Sequence, residues 1–411
     1  MNNPDVRNGQ ALRAMAQEML EELETNILHF WSTRMCRPGE PVPGRISGYG
    51  EEIPGEPLGA VMVSRMLWAF SAAYRVLRRE SYLECASRMK HEIEEKFIDP
   101  EYGGVYWSVD SEGRPLDTKK QIYALGFAIY GLSEYARATG DSSATGLAAD
   151  LYRDIEKYSA DPVRNGYFEA LSRDWKPLGD VRLSEKDANE HKTMNTHLHI
   201  IEPYANLYRV WPDEGLRERI LNLLDIFSEK IMDPSTGHLR LFFDDDWNNR
   251  HEIVSYGHDI EASWLIDEAA HVAGGDALRE KYLPVVKQIA DAASEGYIPG
   301  GGMIYEFHGE TGAVDADRHW WVQAETVVGY LNLYQLTGDE TALGIAEDVW
   351  KFIRTRISDR EGGEWFWSLK ADGTPDRTND KAGFWKCPYH NSRMCLEVIE
   401  RNDLRLAKEA E

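Results

Sequence analysis

The chain has 411 residues, 42% hydrophobic and 28% charged, with 46 Lys and Arg against 70 Asp and Glu and a formal charge of −24. Such a chain buries a sizeable core without staples, and its acid excess excludes nucleic acid and anionic membrane as partners, because both require a basic face. The four cysteines, Cys36, Cys85, Cys387 and Cys395, form no CxxC pair and imply no disulfide framework. The start of the chain is polar, without the apolar core of a secretion signal, and no apolar run approaches the roughly 18 residues of a membrane span. The expected compartment is the cytoplasm.

In chain order, the first predicted inner element is a helix over 62–77, apolar on most faces. A helix that is apolar all round must be buried all round. Residues 82–97 differ: Tyr82, Ala86, Met89, Ile93 and Phe97 form one stripe with charge opposite, which predicts an outer helix packed on an inner one. A Gly-rich aromatic hairpin follows at 101–117, then a second all-apolar helix at 121–136. Similar hairpins are predicted at 164–178, 236–248, 301–315 and 362–376, each with a Gly turn, alternating aromatics and a second turn. Asp-Pro at 99–100, 161–162 and 233–234 stops the helix before several of them.

The unit of outer helix, hairpin and inner helix recurs every 60 to 70 residues or so. Inner helices are expected to begin near residues 62, 119, 194, 257, 319 and 389. Six outer/inner pairs closing into a ring make an all-α (α/α)6 barrel, a single domain over 1–411, with short β-hairpins at the mouth where the parallel inner helices start. An open α-solenoid is the alternative, but it would not need so many aromatics at one end.

Chemistry is therefore expected in the first turns of the inner helices. The first offers Arg65 and the second Tyr123. The third, NTHLHIIE, offers Asn195, His197 and His199. The fourth, SYGHDIEASW, offers His258 and Glu261, and the fifth, RHWWVQAE, offers Trp320, Trp321 and Glu325. The sixth, FWKCPYHNSRMC, offers Trp385, His390 and Arg393. His258 and Glu261 lie i, i+3 on one helix face, matching a base oriented by a carboxylate. His197 and His199 lie about 200° apart on a helix and cannot both face the lumen, which argues against a metal pair. No metal and no cofactor are expected, and no Gly-rich phosphate loop is present. Trp321 and Trp385 can pack in the core or stack on sugar rings.

The stretches NTHLHIIEPYANLYRVWP, SYGHDIEASWLIDEA, DRHWWVQAE, GGEWF and FWKCPYHNSRMCLE resemble cellobiose 2-epimerases, a group within the N-acylglucosamine 2-epimerase superfamily. The resemblance implies the same barrel and epimerisation at C2 of the reducing-end glucose of β-1,4 disaccharides such as cellobiose and lactose. It implies that His258 and His390 are the acid/base pair on opposite sides of C2, and that His199 contacts the ring oxygen and O1. Glu261 would orient His258; Arg65, Tyr123 and Asn195 would bind hydroxyls; Trp321 and Trp385 would stack on the sugar; and Asp187 would stand on a mouth loop. The Pro- and Gly-rich stretch 36–59 departs from the family's first hairpin and bears on the outer subsite. The expected partner is a small sugar, with the chain a monomer or weak dimer.

Removing the C2 proton of an open-chain aldose generates an enediolate, and a histidine of ordinary pKa about 6.5 suits that transfer. Rival readings keep the fold. They are a mannose 2-epimerase or aldose–ketose isomerase acting on monosaccharides, a glycoside hydrolase using Glu261 and Glu325 as its carboxylate pair, and a non-catalytic glycan-binding protein.

Overall fold

The computed structural model describes residues 4–410. Its helices are α1 (Pro4–Glu22), α2 (Leu28–Arg34), α3 (Ala60–Leu77), α4 (Glu80–Glu92), α5 (Ile122–Thr139), α6 (Ser142–Tyr158), α7 (Met194–Val210) and α8 (Glu214–Ile226), followed by α9 (Tyr256–Ala293), α10 (Trp320–Thr337), α11 (Glu340–Phe352) and α12 (Tyr389–Ala410). Helix α1 runs into α2 through a π-helical turn, so the two form one outer rod. Helix α9 is two helices joined at Gly275, whose φ of 64° breaks the helical path and turns an inner rod into an outer one. The rods thus fall into six outer/inner pairs.

The inner rods α3, α5, α7, the first half of α9, α10 and α12 each pack on the next, and α12 returns to α3. That closure distinguishes a barrel from a solenoid: this is the expected (α/α)6 barrel. The inner helices begin at residues 60, 122, 194, 256, 320 and 389, within three residues of the expected starts. Their side chains are buried over almost their whole length, as in Ala60–Ala73 of α3 and Ile122–Ala136 of α5, so hydrophobic burial on every face holds the ring together. Among the described residues no helix is long and apolar enough to cross a membrane.

The hairpins are shorter than the sequence suggests, and their strands pair mainly between units. The two or three residues that lead into an inner helix pair antiparallel with the hairpin about fifty residues further on. Leu58–Gly59 pairs with Ser108–Val109, Lys120–Gln121 with Ala170–Leu171, and Lys192–Thr193 with Phe242–Phe243. Ile253–Ser255 pairs with Glu306–His308, and Arg318–His319 with Ser368–Leu369. Within several hairpins the second arm is a single bridge, such as Leu171 with Pro177 or Leu369 with Pro375. The Pro- and Gly-rich stretch 36–59 completes the circle, because Ile46 bridges Ala382 next to the start of α12.

Buried ion pairs lock these clasps. Asp99, which ends an outer helix, accepts from the Nζ of Lys120 at 2.9 Å; Asp161 accepts from Lys192 at 2.7 Å and Asp359 from Lys381 at 2.6 Å. Each lysine lies on the segment that opens an inner helix. The same carboxylates cap the turn that follows, taking backbone N–H bonds from Glu101, Val163 and Gly362. The mouth is thereby fixed at the point where each inner helix starts.

One inner helix is bent. His199 in α7 has φ −89° and ψ 16°, outside the helical range, and Pro203 stands four residues later. Proline has no N–H to give the carbonyl of residue i−4, and its ring pushes that carbonyl away. The displaced His199 carbonyl points at Gly126 of α5, where a Cβ would lie 2.2 Å from the oxygen. Gly126→Ala should therefore cost about 1–3 kcal/mol, the range for forced overpacking, and lower turnover by moving His199. Denaturant melts compared with wild type and kcat on the sugar check both effects.

Candidate active site

The side chains expected at the mouth lie in two tiers. Tyr123, Asn195, Trp321 and His390 are each the second residue of their helix, and His258 is the third of its own. One turn deeper come Arg65, His199, Glu261 and Glu325, each the sixth residue, and Arg393, the fifth. A helical turn rises 5.4 Å, so the upper tier presents rings and an amide to the mouth while the lower tier forms a charged floor.

Arg393 is the centre of that floor and is fully buried. Its Nη2 donates to Glu261 and to Glu325, both at 2.7 Å, and its Nη1 donates to Glu202 and contacts the Tyr389 hydroxyl. Three carboxylates from α7, α9 and α10 thus converge on one guanidinium from α12. They differ in charge state. Burial and the neighbouring Glu325 hold Glu261 well above the usual carboxylate range. Burial also acts on Glu325, but Arg393 and His390 outweigh it and bring it down to about 2. Glu325 is thus pushed towards its ionised form and Glu261 away from it.

Two histidines rest on this floor. His390 Nδ1 lies 2.7 Å from Glu325 Oε1, and His199 Nδ1 lies 3.0 Å from Glu202 Oε2. An ionised carboxylate only accepts, so the ring nitrogen facing Glu325 carries the hydrogen and His390 Nε2 keeps its lone pair. His258 is held differently. Its Nδ1 lies 2.8 Å from the hydroxyl of Ser255. Burial brings His258 and His390 down to about 3 and His199 well below its ordinary value, which favours the uncharged form of each ring.

The expectation that Glu261 orients His258 is corrected here: Glu261 bonds Arg393 and approaches His390 Nδ1 at 3.8 Å, while Ser255 takes the ring of His258. The i, i+3 spacing gave neighbouring positions, but the pull of a buried guanidinium on a carboxylate decides where it points. His197 and His199 are not expected both to face the lumen, and His197 is the one bound elsewhere, with Nδ1 on the Thr193 carbonyl at 2.7 Å and Nε2 accepting the Tyr167 N–H at 3.0 Å.

The aromatic groups complete the walls. The Trp321 ring neighbours two histidines, lying 4.7 Å from His258 and 5.6 Å from His390. Gly257 allows this approach, since a Cβ there would meet the indole at 2.7 Å. Trp385 is half-buried and joins Trp107 and Phe384 in an aromatic rim. Arg65 Nη2 donates to the Tyr123 hydroxyl at 2.6 Å, and its guanidinium lies over the Phe127 ring at 4.1 Å. Arg65 Nε and Asn195 Oδ1 are buried without a protein partner, and buried polar atoms of this kind need one. Asp187 stands apart on the rim loop, accepting the Ser184 N–H at 2.8 Å, with burial raising its carboxyl.

Sequence reasoning placed the upper tier but missed the roles of Arg393, Glu202 and Ser255. Glu202 follows His199 by three residues and Arg393 follows His390 by three, so helical spacing could have flagged them. Ser255 precedes His258 by three, but its position at the start of the helix suggests a cap, and its hydroxyl makes no cap bond. Glu261, Glu325 and His390 bring three ligand atoms within 4.8 Å of one another, yet both carboxylates already accept from Arg393, which competes with any cation there.

Because three buried carboxylates share one guanidinium, Arg393→Met should destabilise the protein by about 3–5 kcal/mol, the loss seen when one partner of a buried pair is removed. It should abolish turnover even where it remains folded. Denaturant unfolding and kcat measured on the same preparation give the two numbers.

The family profile described as N-acylglucosamine 2-epimerase (GlcNAc 2-epimerase) matches residues 44–393. Cellobiose 2-epimerase of Bacteroides fragilis is 57% identical over 386 residues, which cover 94% of this chain and 98% of that one. A cellobiose 2-epimerase of Ruminococcus albus is 41% identical over 389 residues, covering 94% and 99%. The solved structure of cellobiose 2-epimerase from Bacillus thermoamylovorans B4167 superposes with a TM-score of 0.90 at 42% identity, covering 95% of this chain and all of that one. The chain belongs to the N-acylglucosamine 2-epimerase family.

Proposed function

We propose that this protein is a carbohydrate epimerase of the cellobiose 2-epimerase type, interconverting the reducing-end glucose and mannose of β-1,4 disaccharides. The observation that carries the reading is the pair His258 and His390, on α9 and α12, flanking the Trp321 ring in a chain 57% identical to a cellobiose 2-epimerase over 94% of its length. Trp321 offers an apolar face to the sugar, Trp385 a second one nearer the rim, and Arg65, Tyr123 and Asn195 donors and acceptors for its hydroxyls.

One histidine removes the C2 proton of the open-chain sugar, the electron pair moves into the C1–C2 bond, and negative charge grows on O1. The other histidine returns a proton to the opposite face. Arg65 and the converging N-termini of the inner helices stabilise the enediolate. His199, oriented by Glu202, faces the sugar one turn deeper and assists ring opening. The accepting ring must be neutral, to have a lone pair on Nε2, and the returning ring must carry a proton there.

The glycoside hydrolase reading loses its carboxylates, since Glu261 and Glu325 are both bound to Arg393 Nη2 rather than facing a shared bond. All the groups invoked come from one chain, so no partner subunit is required. A reducing cytoplasm fits four buried, unpaired thiols.

Incubation with cellobiose in heavy water should give glucosyl-mannose carrying deuterium at C2. Product with only protium at C2, or release of free glucose, counts against the reading. His258→Ala and His390→Ala should each lose on the order of 10² to 10⁴-fold in kcat. Turnover should survive chelation; loss that a divalent ion restores would reverse the metal-free scheme. Higher kcat/KM for mannose than for cellobiose would move the substrate to monosaccharides.

A further inference from the structure

The two facing histidines are held by chemically unequal partners. His390 Nδ1 has the ionised Glu325 at 2.7 Å. His258 Nδ1 has the Ser255 hydroxyl at 2.8 Å, and Ser255 is fully buried. A serine at the start of a helix normally accepts a backbone N–H of the first turn. This one makes no such bond, so its hydroxyl is diverted to the imidazole. The other ionisable groups near the two rings are His199 and, through space, Glu325 for His258, and Arg65, Arg393 and Glu261, the last at 3.8 Å, for His390. Of the two rings, His390 is the one that donates a direct hydrogen bond to a carboxylate.

Resting on the epimerase reading, we propose that Ser255 is the positioning residue of His258, and that the mismatch between a hydroxyl behind His258 and a carboxylate behind His390 makes proton transfer at His390 the slower of the two carbon–hydrogen steps. Protons balance as follows. The cycle requires one histidine of the pair neutral and the other an imidazolium, the charged ring holding its proton against the cost of burial. The neutral ring takes the C2 proton on Nε2, the C2–H pair forms the C1=C2 bond, and the carbonyl pair moves onto O1. The imidazolium then gives its Nε2 proton to the other face of C2, the carbonyl re-forms, and the two rings have exchanged states.

The two transition states differ in which ring bears a full positive charge. While the proton moves at His390, that charge sits on His258, with a neutral hydroxyl behind it. While the proton moves at His258, the charge sits on His390, with Glu325 behind it. Charge-assisted hydrogen bonds are the stronger kind, so the second arrangement is lower in energy. The barrier at His390 is the higher one in both directions, as the shared equilibrium requires.

The test uses both epimers of the disaccharide deuterated at C2, with kcat/KM isotope effects measured for each. The epimer whose C2 hydrogen faces His390 should show a large primary effect, and the other an effect close to one. Ser255→Ala removes support from charged His258, so it should lower kcat about ten-fold from both epimers and sharpen the contrast. Glu325→Gln should shrink or reverse it. Isotope effects of equal size from both epimers in the wild type overturn the proposal, as does a Ser255→Ala protein with wild-type kcat and an unchanged contrast. Heavy-water product without deuterium at C2 removes the epimerase reading and this proposal together; labelled product with equal isotope effects removes only the proposal.

Discussion

A single buried guanidinium holds this site together. Arg393 bonds Glu261, Glu325 and Glu202 at once. Without it, three carboxylates would face one another in a region closed to solvent, and each would resist ionisation. With it, Glu325 is held towards its ionised form and aims the ring of His390. The position of the His390 ring thus follows from an electrostatic requirement of the core. The same floor orients His199 through Glu202, so two of the three histidines share one anchor.

The barrel supplies the geometry that this anchor needs. Inner helices apolar on all sides bury themselves wherever they can, and six of them pack in a ring. Burial alone would leave each free to slide along its axis. The strand clasps between successive units, with the Asp–Lys pairs behind them, fix where each helix begins. Because site residues occupy the second or third and the fifth or sixth places of their helices, fixing the starts fixes both tiers. The kink at His199 is a local exception with a local cause, Pro203, and Gly126 gives its carbonyl room.

Much of this was legible in the sequence because it is periodic. All-apolar helices alternating with striped ones, and Gly-rich aromatic turns between them, gave the pairs and the starts of the inner helices within three residues. The upper tier followed because first-turn residues of parallel helices must meet at one end. Contacts between helices were not legible. His390 meets Glu325 across 65 residues and Arg393 meets Glu261 across 132, and helical spacing reports neighbours only on the same rod. That is why Glu261 was paired with His258, three residues away, when a charge from the far end of the chain takes it instead. The hairpins were misjudged for a similar reason: alternation marks a strand but not its partner, and the partners lie in the neighbouring unit.

The dependence of the floor on α12 also orders events during synthesis. Glu202, Glu261 and Glu325 emerge from the ribosome well before Arg393, and a domain generally folds as a unit. Until the last inner rod inserts, the ring is open between α10 and α3, and the three acids have no cation to share. They must stay hydrated or take up protons, and either state keeps water in the nascent core. Docking of α12 then expels that water, neutralises the floor and delivers His390 in one motion. A half-made chain is therefore wet and incompetent by construction, and catalytic competence arrives together with the final closure of the barrel.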